Sequence, residues 1–571
     1  MTQTKIVRRP AGDESGLPDS LPPLLRRLYA ARGLKCESEL DKSVTALAPY
    51  GAMKGIAEAV RLLADAIGQH KRILVVGDFD ADGATSSALS VLALRMLGAA
   101  HADFLVPNRF EYGYGLSPEI VQVAAERGCD LLMTVDNGIS SLSGVEAAKA
   151  AGMQVLITDH HLPGEQLPAA DAIVNPNLPD CGFPSKALAG VGVAFYLMLA
   201  VRTELRDRGA FAGKPPNLAE LLDIVALGTV ADVVPLDANN RILVHQGLAR
   251  IRAGRCRPGI LALCEVAGRN PARMVASDLG FALGPRLNAA GRLDDMSVGV
   301  SLLITDDLHQ ARLMAAQLDM FNKERREIEA GMQAEALQEL KAIELGEVPS
   351  GIALYRPDWH QGVIGILAAR IKERYHRPVI AFAQGSEGEL KGSARSIPGL
   401  HMRDLLDELD TKHPGLILKF GGHAMAAGLS IREGDFGRFA ELYAETVDRV
   451  MTPELLEGKI LSDGELAAHE LCLETAQQIR GGGPWGQAFP EPMFDGHFQI
   501  VQQRLVGQKH LKLVLAVDGS DQYIDGICFN VDTDFWPNSA VQWVRLAYRL
   551  DVNEFRGKLS PQLMIEHLEP A

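Results

Sequence analysis

Cysteine is scarce and scattered in this chain: seven in 571 residues, with no Cys-x-x-Cys pair. That excludes a disulfide framework and the common zinc modules, and it fits the reduced thiols of a cytoplasmic protein. Long apolar runs are missing too. No run of the roughly eighteen apolar residues that a membrane span needs occurs. None follows Arg8 and Arg9 either, so no signal peptide is expected. Basic residues are in deficit, 57 Lys and Arg against 72 Asp and Glu, for a net charge of -15. Such a balance disfavours a protein that coats nucleic acid through a broad basic face. Internal repeats and low-complexity segments are absent. What remains is the composition of an ordinary soluble chain, 23% charged. It is long enough for roughly three or four domains, each able to bury a core.

Four acidic motifs stand out, each behind an apolar run. Asp78-Phe79-Asp80-Ala81-Asp82-Gly83 follows residues 73–77, and Asp136-Asn137-Gly138 follows 131–135. Asp159-His160-His161 follows 155–158, and Asp232 lies within 228–235. The runs read as buried parallel strands or segments, with helical stretches such as 145–151 between them. In an open α/β sheet, ligands collect outside the carboxyl ends of the strands. Several carboxylates and two imidazoles would converge there, and so many acids share a pocket only when cations hold them together. A carboxylate-rich set with imidazole and no thiolate suits Mn²⁺ or Mg²⁺ rather than Zn²⁺ or copper. Two such ions can activate water and clamp a phosphoryl group during in-line displacement. Phosphoester hydrolysis is therefore the expected chemistry. Singly, each motif has a plainer reading: a calcium loop for the first, although no downstream glutamate follows, and a turn for Asp-Asn-Gly. Their occurrence together, in order, carries the metal reading.

The set resembles the DHH phosphoesterase superfamily, whose members include exopolyphosphatases, family II pyrophosphatases, oligoribonucleases, cyclic-dinucleotide phosphodiesterases and single-strand exonucleases. The second half of the chain narrows the resemblance. Gly284-Pro285-Arg286-Leu287-Asn288-Ala289-Ala290-Gly291-Arg292-Leu293, Trp359-His360-Gln361-Gly362-Val363-Ile364-Gly365, Gly392-Ser393-Ala394-Arg395-Ser396 and Gly421-Gly422-His423-Ala424-Met425-Ala426-Ala427-Gly428 are similar to the single-strand exonucleases of that superfamily. The resemblance implies a 5′→3′ exonuclease that degrades single-stranded DNA to 5′-mononucleotides in DNA repair and recombination, using two Mn²⁺ or Mg²⁺ ions. It also implies single-strand-binding protein and a helicase as partners. A monomer with no membrane contact is expected. Two readings compete: a phosphodiesterase for short oligonucleotides or cyclic dinucleotides, whose known forms typically lack a C-terminal barrel, and an inactive replication scaffold, which would have lost metal ligands that this chain keeps.

By the same resemblance Asp78, Asp80, Asp82, Asp136, His160 and Asp232 are metal ligands, with Asp136 bridging. Asp82, Asp136, His160 and His161 make the catalytic set, and His161 is open to a role at the scissile phosphate or its leaving oxygen. Asp159 is either a ligand or the partner that fixes a histidine tautomer. Arg109, Arg286, Ser393 and Arg395 would hold the 5′-terminal phosphate, since arginine offers bidentate contacts to it. Gln317 is a further candidate, and Asn288, His360 and His423 would line the same cleft. Each arginine has an alternative as a structural ion pair, and Phe110, Tyr112 and Tyr114 either wall the strand entry or pack.

The expected fold class is α/β. Residues 1–45 form an N-terminal extension with a helix over 21–32 and no assigned role. Residues 46–290 form the parallel-sheet DHH catalytic domain, in which a helix over 218–227 delivers Asp232. One or two connecting helices span 291–345. A second α/β domain of the DHHA1 type, which would bind substrate, covers 346–450, with strands near 351–355, 378–382 and 426–430. Five short strands in 455–571 read as a β-barrel, the OB-fold. Trp485, Trp536 and Trp543 lie in that last segment, where they either stack bases or fill the barrel core or a domain interface.

Overall fold

The computed structural model describes residues 4–108, 115–343, 349–385, 388–517 and 519–571. The chain divides into two compact units, Arg8–Asn322 with Ser462–Ala571, and Met1–Val7 with Lys323–Leu461. After an N-terminal strand Thr4–Arg8 (β1) come Arg72–Gly77 (β2), His101–Leu105 (β3), Leu131–Val135 (β4), Gln154–Thr158 (β5) and Ala172–Val174 (β6). The last five form one sheet of order β3-β2-β4-β5-β6, with every pair parallel. β4 is buried throughout, and β2 is buried after Arg72, as in a parallel sheet covered on both faces. The helix Ala81–Met96 is buried from 81 to 94 and packs against the helices Gly190–Asp207 and Leu222–Ala231. Register decides what happens at the sheet edge. Gly77 pairs with Val135, and Val135 with Thr158. Asp78, Asp136 and Asp159 therefore leave three adjacent strands at the same level.

The smaller unit carries a mixed sheet of Ile352–Tyr355 (β7), Val379–Gln384 (β8), Glu389–Arg395 (β9), Lys419–Gly422 (β10) and Ala426–Arg432 (β11), in the order β10-β11-β9-β8-β7. Only β7 and β8 run parallel. Leu406, Phe439 and Tyr443, from helices Met402–Lys412 and Phe436–Val450, pack in one core against Ile380 and Phe382. A second core joins Val379 and Ala381 to Leu367 and Ile371 of helix Ile364–Tyr375, and to Met332, Ala336 and Leu340 of helix Leu308–Ile343. That last helix is 36 residues long, and the boundary between the units falls within it. The connecting segment thus holds a short helix, Ser297–Ile304, and then one long helix. Gly458–Ser462 (β12) pairs with β1, a pairing not foreseen for the N-terminal extension.

The last five strands, Phe494–Val506 (β13), His510–Val517 (β14), Tyr523–Cys528 (β15), Trp543–Phe555 (β16) and Lys558–Pro570 (β17), close into a barrel of order β13-β14-β15-β17-β16. Closure removes the exposed edges that a five-stranded sheet would otherwise present. Its core residues Phe494, Leu513 and Tyr548 belong to the same hydrophobic cluster as Leu63, Leu89 and Leu227 of the parallel-sheet region. The N-terminal segment reinforces this continuity. Tyr29 of helix Pro23–Ala30 lies 5.9 Å from Trp485 and 6.2 Å from Phe489, ring to ring. Arg32 donates to both carboxylate oxygens of Asp463, at 3.0 and 2.9 Å. Trp485 is accordingly a packing residue, Trp536 is buried, and Trp543 is exposed. Among the described residues no helix is long and apolar enough to cross a membrane.

Candidate metal centre

Each acidic loop is built by local bonds that aim its side chains. Asp80 caps the helix Ala81–Met96, its Oδ1 accepting from the amides of Asp82 at 2.9 Å and Gly83 at 3.0 Å. Capping satisfies amides that the first helical turn leaves without partners. Asp82, in the first turn of that helix, points toward the helix Gly190–Asp207: its carboxylate accepts from the amides of Gly190 at 2.6 Å and Val191 at 2.9 Å. Asp136 stands in the left-handed region at φ 60, which aspartate tolerates better than most residues. The next residue, Asn137, donates to the carbonyls of Val76 at 3.1 Å and Val135 at 2.9 Å, fastening β2 to β4. Asp159 accepts from the amides of His160, His161 and Ile139 and lies 2.8 Å from His161 Nδ1. It therefore orients the histidine loop. Asp232 closes the helix Leu222–Ala231.

These four segments meet. His160 Nε2 lies 3.1 Å from Asp136 Oδ1, 3.6 Å from Asp232 Oδ2 and 3.9 Å from Asp82 Oδ2. His161 Nδ1 is 4.0 Å from Asp136 Oδ1. Although close, His160 Nε2, Asp136 Oδ1 and Asp232 Oδ2 are buried and make no hydrogen bond. Buried polar atoms are normally paired, so three unpaired ones facing a common point mark a place for a cation. Three overlapping groups each bring ligand atoms within 4.8 Å of one another: Asp136, His160 and His161; Asp82, His160 and Asp232; Asp78, Asp80 and Asp136.

Electrostatics gives the same answer. Burial, and then repulsion from Asp82, Asp80, Asp232 and Asp78, pushes the Asp136 carboxyl well above the ordinary carboxylate range. Asp232 is raised well above it too, by burial and then by Asp82, Asp80 and Asp78. Burial and Asp80 push Asp82 to about 7, against the pull of the Val191 and Gly190 amides. Burial, with His161 nearby, lowers His160 to about 4, which leaves a neutral imidazole, the form that binds metal. Burial would raise Asp159, but its bonds to His161 and Ile139 outweigh it and hold the carboxyl below its usual value. A set of oxygens with one or two imidazoles, destabilised by its own charge, fits a pair of hard divalent cations.

Comparison with known proteins agrees with this geometry. Family models match residues 72–229 (DHH family, N-terminal domain), 349–449 (DHHA1 domain) and 462–567 (RecJ OB domain). The chain is 63% identical over 572 residues to the single-stranded-DNA-specific exonuclease RecJ of Dickeya dadantii (strain 3937), covering 99% of each chain. It is 60% identical over 573 residues to that of Escherichia coli (strain K12), with 100% of this chain and 99% of that one covered. The chain belongs to the RecJ family. The crystal structure of RecJ in complex with Mn²⁺ from Thermus thermophilus matches at a TM-score of 0.82 with 30% identity, over 100% of this chain and 80% of that one. The Mg²⁺ complex from the same source matches at 0.76 with 28% identity, over 100% of this chain and 78% of that one. The superfamily resemblance read from the motifs is borne out, as are the α/β class and the C-terminal OB domain.

The other residues singled out from sequence fall in several places. Asn288 and Gly291, both on helix Gly284–Leu293, border the acidic loop: Asn288 Oδ1 accepts from the Ala81 amide at 2.8 Å. A Cβ on Gly291 would fall 1.7 Å from the Phe79 carbonyl oxygen, so only glycine allows that approach. Asn288 thus supports the loop that carries the first acidic motif. Arg286, on the same helix, is buried and already engaged, donating to Asp319 at 2.9 Å and to the carbonyls of Ala282 at 2.6 Å and Val266 at 3.4 Å. Gln317 is partly buried on helix Leu308–Ile343. In the smaller unit, Arg395 Nη1 donates to Ser393 Oγ at 3.2 Å, and burial lowers its pKa, with no acidic group among the described residues acting on it. A Cβ on Gly365 would meet Ser393 Oγ at 2.9 Å and Arg395 Nη2 at 3.0 Å. His360 Nδ1 accepts from the Gly362 amide at 3.1 Å, and the His423 amide donates to the Ala426 carbonyl at 2.8 Å. Arg109, Phe110, Tyr112 and Tyr114 lie outside the described residues. The Gly190 and Val191 amides were missed; their signal is a pair of glycines, Gly190 and Gly192, opening an apolar helix.

Proposed function

We propose that this chain is a 5′→3′ exonuclease that hydrolyses single-stranded DNA to 5′-mononucleotides, with two Mn²⁺ or Mg²⁺ ions, in DNA repair and recombination in the cytoplasm. One observation supports this most: the three buried, unpaired ligand atoms of Asp136, His160 and Asp232 facing one point in a chain whose full-length relatives are single-stranded-DNA-specific exonucleases. Asp78, Asp80 and Asp136 would hold one ion and Asp82, His160 and Asp232 the other, with Asp136, whose Oδ1 lies 3.1 Å from His160 Nε2, the carboxylate the two would share. Bound there, the ions supply Lewis acidity for in-line phosphodiester hydrolysis. The chain does the rest. The Gly190 and Val191 amides fix Asp82, Asp159 fixes His161, and His161 is positioned to act at the scissile phosphate or its leaving oxygen.

Polarity is assigned to the smaller unit. Ser393 and Arg395, with no acid among the described residues competing for the guanidinium, take the 5′-terminal phosphate, and His360 and His423 line the same cleft. Arg286, its guanidinium spent on Asp319, supports the metal-side helix instead. The chain acts as a monomer alongside single-strand-binding protein and a helicase. Its domains follow the five segments drawn from sequence: an extension over 1–45, the DHH domain over 46–290, connecting helices over 291–345, the DHHA1 domain over 346–450 and the OB domain over 455–571. The test is degradation of a long, internally labelled, 5′-phosphorylated single strand with Mn²⁺, against a chelator control and Asp136→Ala. Release of mononucleotides from the 5′ end by the wild type alone is expected. Cleavage restricted to dinucleotides would transfer the chain to the small-substrate phosphodiesterases, and no turnover at all would make it a scaffold.

A further inference from the structure

We propose that Phe281 and Val233 form a stacking subsite for one nucleobase of the strand, beside the metal centre. The proposal rests on the exonuclease reading and adds to it a residue pair that reads the base rather than the phosphate. Phe281 is 81% exposed and Val233 is 64% exposed, and a bare phenyl ring in water is an unfavourable arrangement that stacking relieves. Both exposures are imposed by backbone form. Phe281 sits in a π-helical turn, Leu279–Leu283, in which Leu279, Ala282 and Leu283 are buried while Phe281 points outward. Single π turns inserted next to α-helix recur at functional sites. Val233 adopts φ 62, a left-handed conformation that a β-branched residue takes only under constraint.

Val233 directly follows Asp232, the metal-cluster residue that closes the helix Leu222–Ala231. The π turn is held against the same place. A Cβ on Gly280 would come 3.2 Å from Val230 Cγ1, and a Cβ on Gly284 would come 3.1 Å from Ala231 Cβ, so the turn packs on the two residues that precede Asp232. The helix that continues from it reaches the first acidic loop, with Asn288 on Ala81 and Gly291 on Phe79. Residues 279–291 therefore form one wall of the centre, and Phe281 is its exposed end. A strand whose phosphodiester lies at the cluster must place a base within reach of that wall. Aromatic stacking suits this task because every base has a π-face, so the subsite is tolerant of sequence.

The experiment pairs an enzyme variant with a substrate that lacks one base. Single strands carrying one abasic residue, walked through the first several nucleotides from a 5′-phosphate, are compared with the intact strand for wild type, Phe281→Ala and Phe281→Tyr. For wild type, at one position, the abasic strand should be cut about tenfold less efficiently in kcat/KM, the size of one stacking contact. Phe281→Ala should lose that discrimination, and Phe281→Tyr should keep it. A purely structural role for Phe281 would slow both strands equally and leave the ratio intact, which overturns the proposal. Equal discrimination by wild type and Phe281→Ala at every position overturns it as well. A wild type that degrades neither strand would instead sink the exonuclease reading on which the proposal rests.

Discussion

Stripping divalent ions from this protein should leave a fold whose stability falls as the pH rises. Asp136 and Asp232 are held well above the ordinary carboxylate value of 3.8, and Asp82 at about 7, by burial first and by one another second. A carboxyl raised in this way binds its proton more tightly folded than unfolded. Its contribution is full below the unfolded value and is lost as the pH climbs through the folded one. Asp82 alone, between 3.8 and about 7, accounts for on the order of 4 kcal/mol at about 1.4 kcal/mol per pH unit. His160 works in the opposite direction below 6.5, because burial lowers it to about 4, so the measurement belongs above that pH. Asp136 and Asp232, raised by burial and mutual repulsion, push stability the same way, downward as the pH rises through their folded values. The assay is thermal melting of chelator-treated protein from about pH 6.5 to 8.5, wild type against Asp232→Asn. Asp232 Oδ2 has no hydrogen-bond partner, so the amide removes charge without breaking a bond there. The wild-type Tm should drop by several degrees toward pH 8.5, the variant should drop less, and Mn²⁺ should restore wild type most at high pH. A flat or rising wild-type curve, matched by the variant, would refute the claim that these carboxyls share a desolvated site.

Gly190→Ala should weaken divalent binding although it removes no ligand. The new Cβ would lie 2.7 Å from Asp136 Cβ and 2.9 Å from its Oδ1, and overpacking of this kind costs about 1–3 kcal/mol; calorimetric titration with Mn²⁺ checks it. Arg286→Ala should destabilise the fold by roughly 3–5 kcal/mol, because it breaks a buried ion pair with Asp319; denaturant unfolding measures this, and an unchanged midpoint would contradict it. Tyr443→Phe should leave stability unchanged or raise it, since the Tyr443 hydroxyl is buried without a partner and deleting it removes a desolvation cost of about 1–3 kcal/mol. A clear loss on melting would mean that the hydroxyl is bonded.

Much of the centre was legible from short-range pattern. An apolar run followed by an acid is a local signal, and in β2, β4 and β5 it located both the strand and the residue at its carboxyl end. Three of the five strands in the DHHA1-type sheet and all five of the barrel were recognisable in the same way, although β9, β10 and β1, the last hidden in the N-terminal extension, were not. The partner of β1, β12, is some 450 residues away, and nothing in the local pattern of a five-residue strand announces so distant a neighbour. Arg286 shows the same limit from the other side. The motif around it marked it as important, but whether its guanidinium meets a phosphate or Asp319 depends on how helix Leu308–Ile343 packs.

The amino-acid sequence by itself determined the chemistry: which acids and imidazoles are present, which strands end in them, and that only divalent cations reconcile so much negative charge. It did so because hydrophobic period and loop composition act over a few residues. The tertiary structure decided how those groups meet. The common level of Gly77, Val135 and Thr158 sets three motifs side by side. The amides of Gly190 and Val191, more than a hundred residues from Asp82, hold that carboxylate. The wall of residues 279–291 closes on the acidic loop through Asn288 and Gly291. Such contacts follow from the packing of whole elements, in which each position is fixed by many distant neighbours at once.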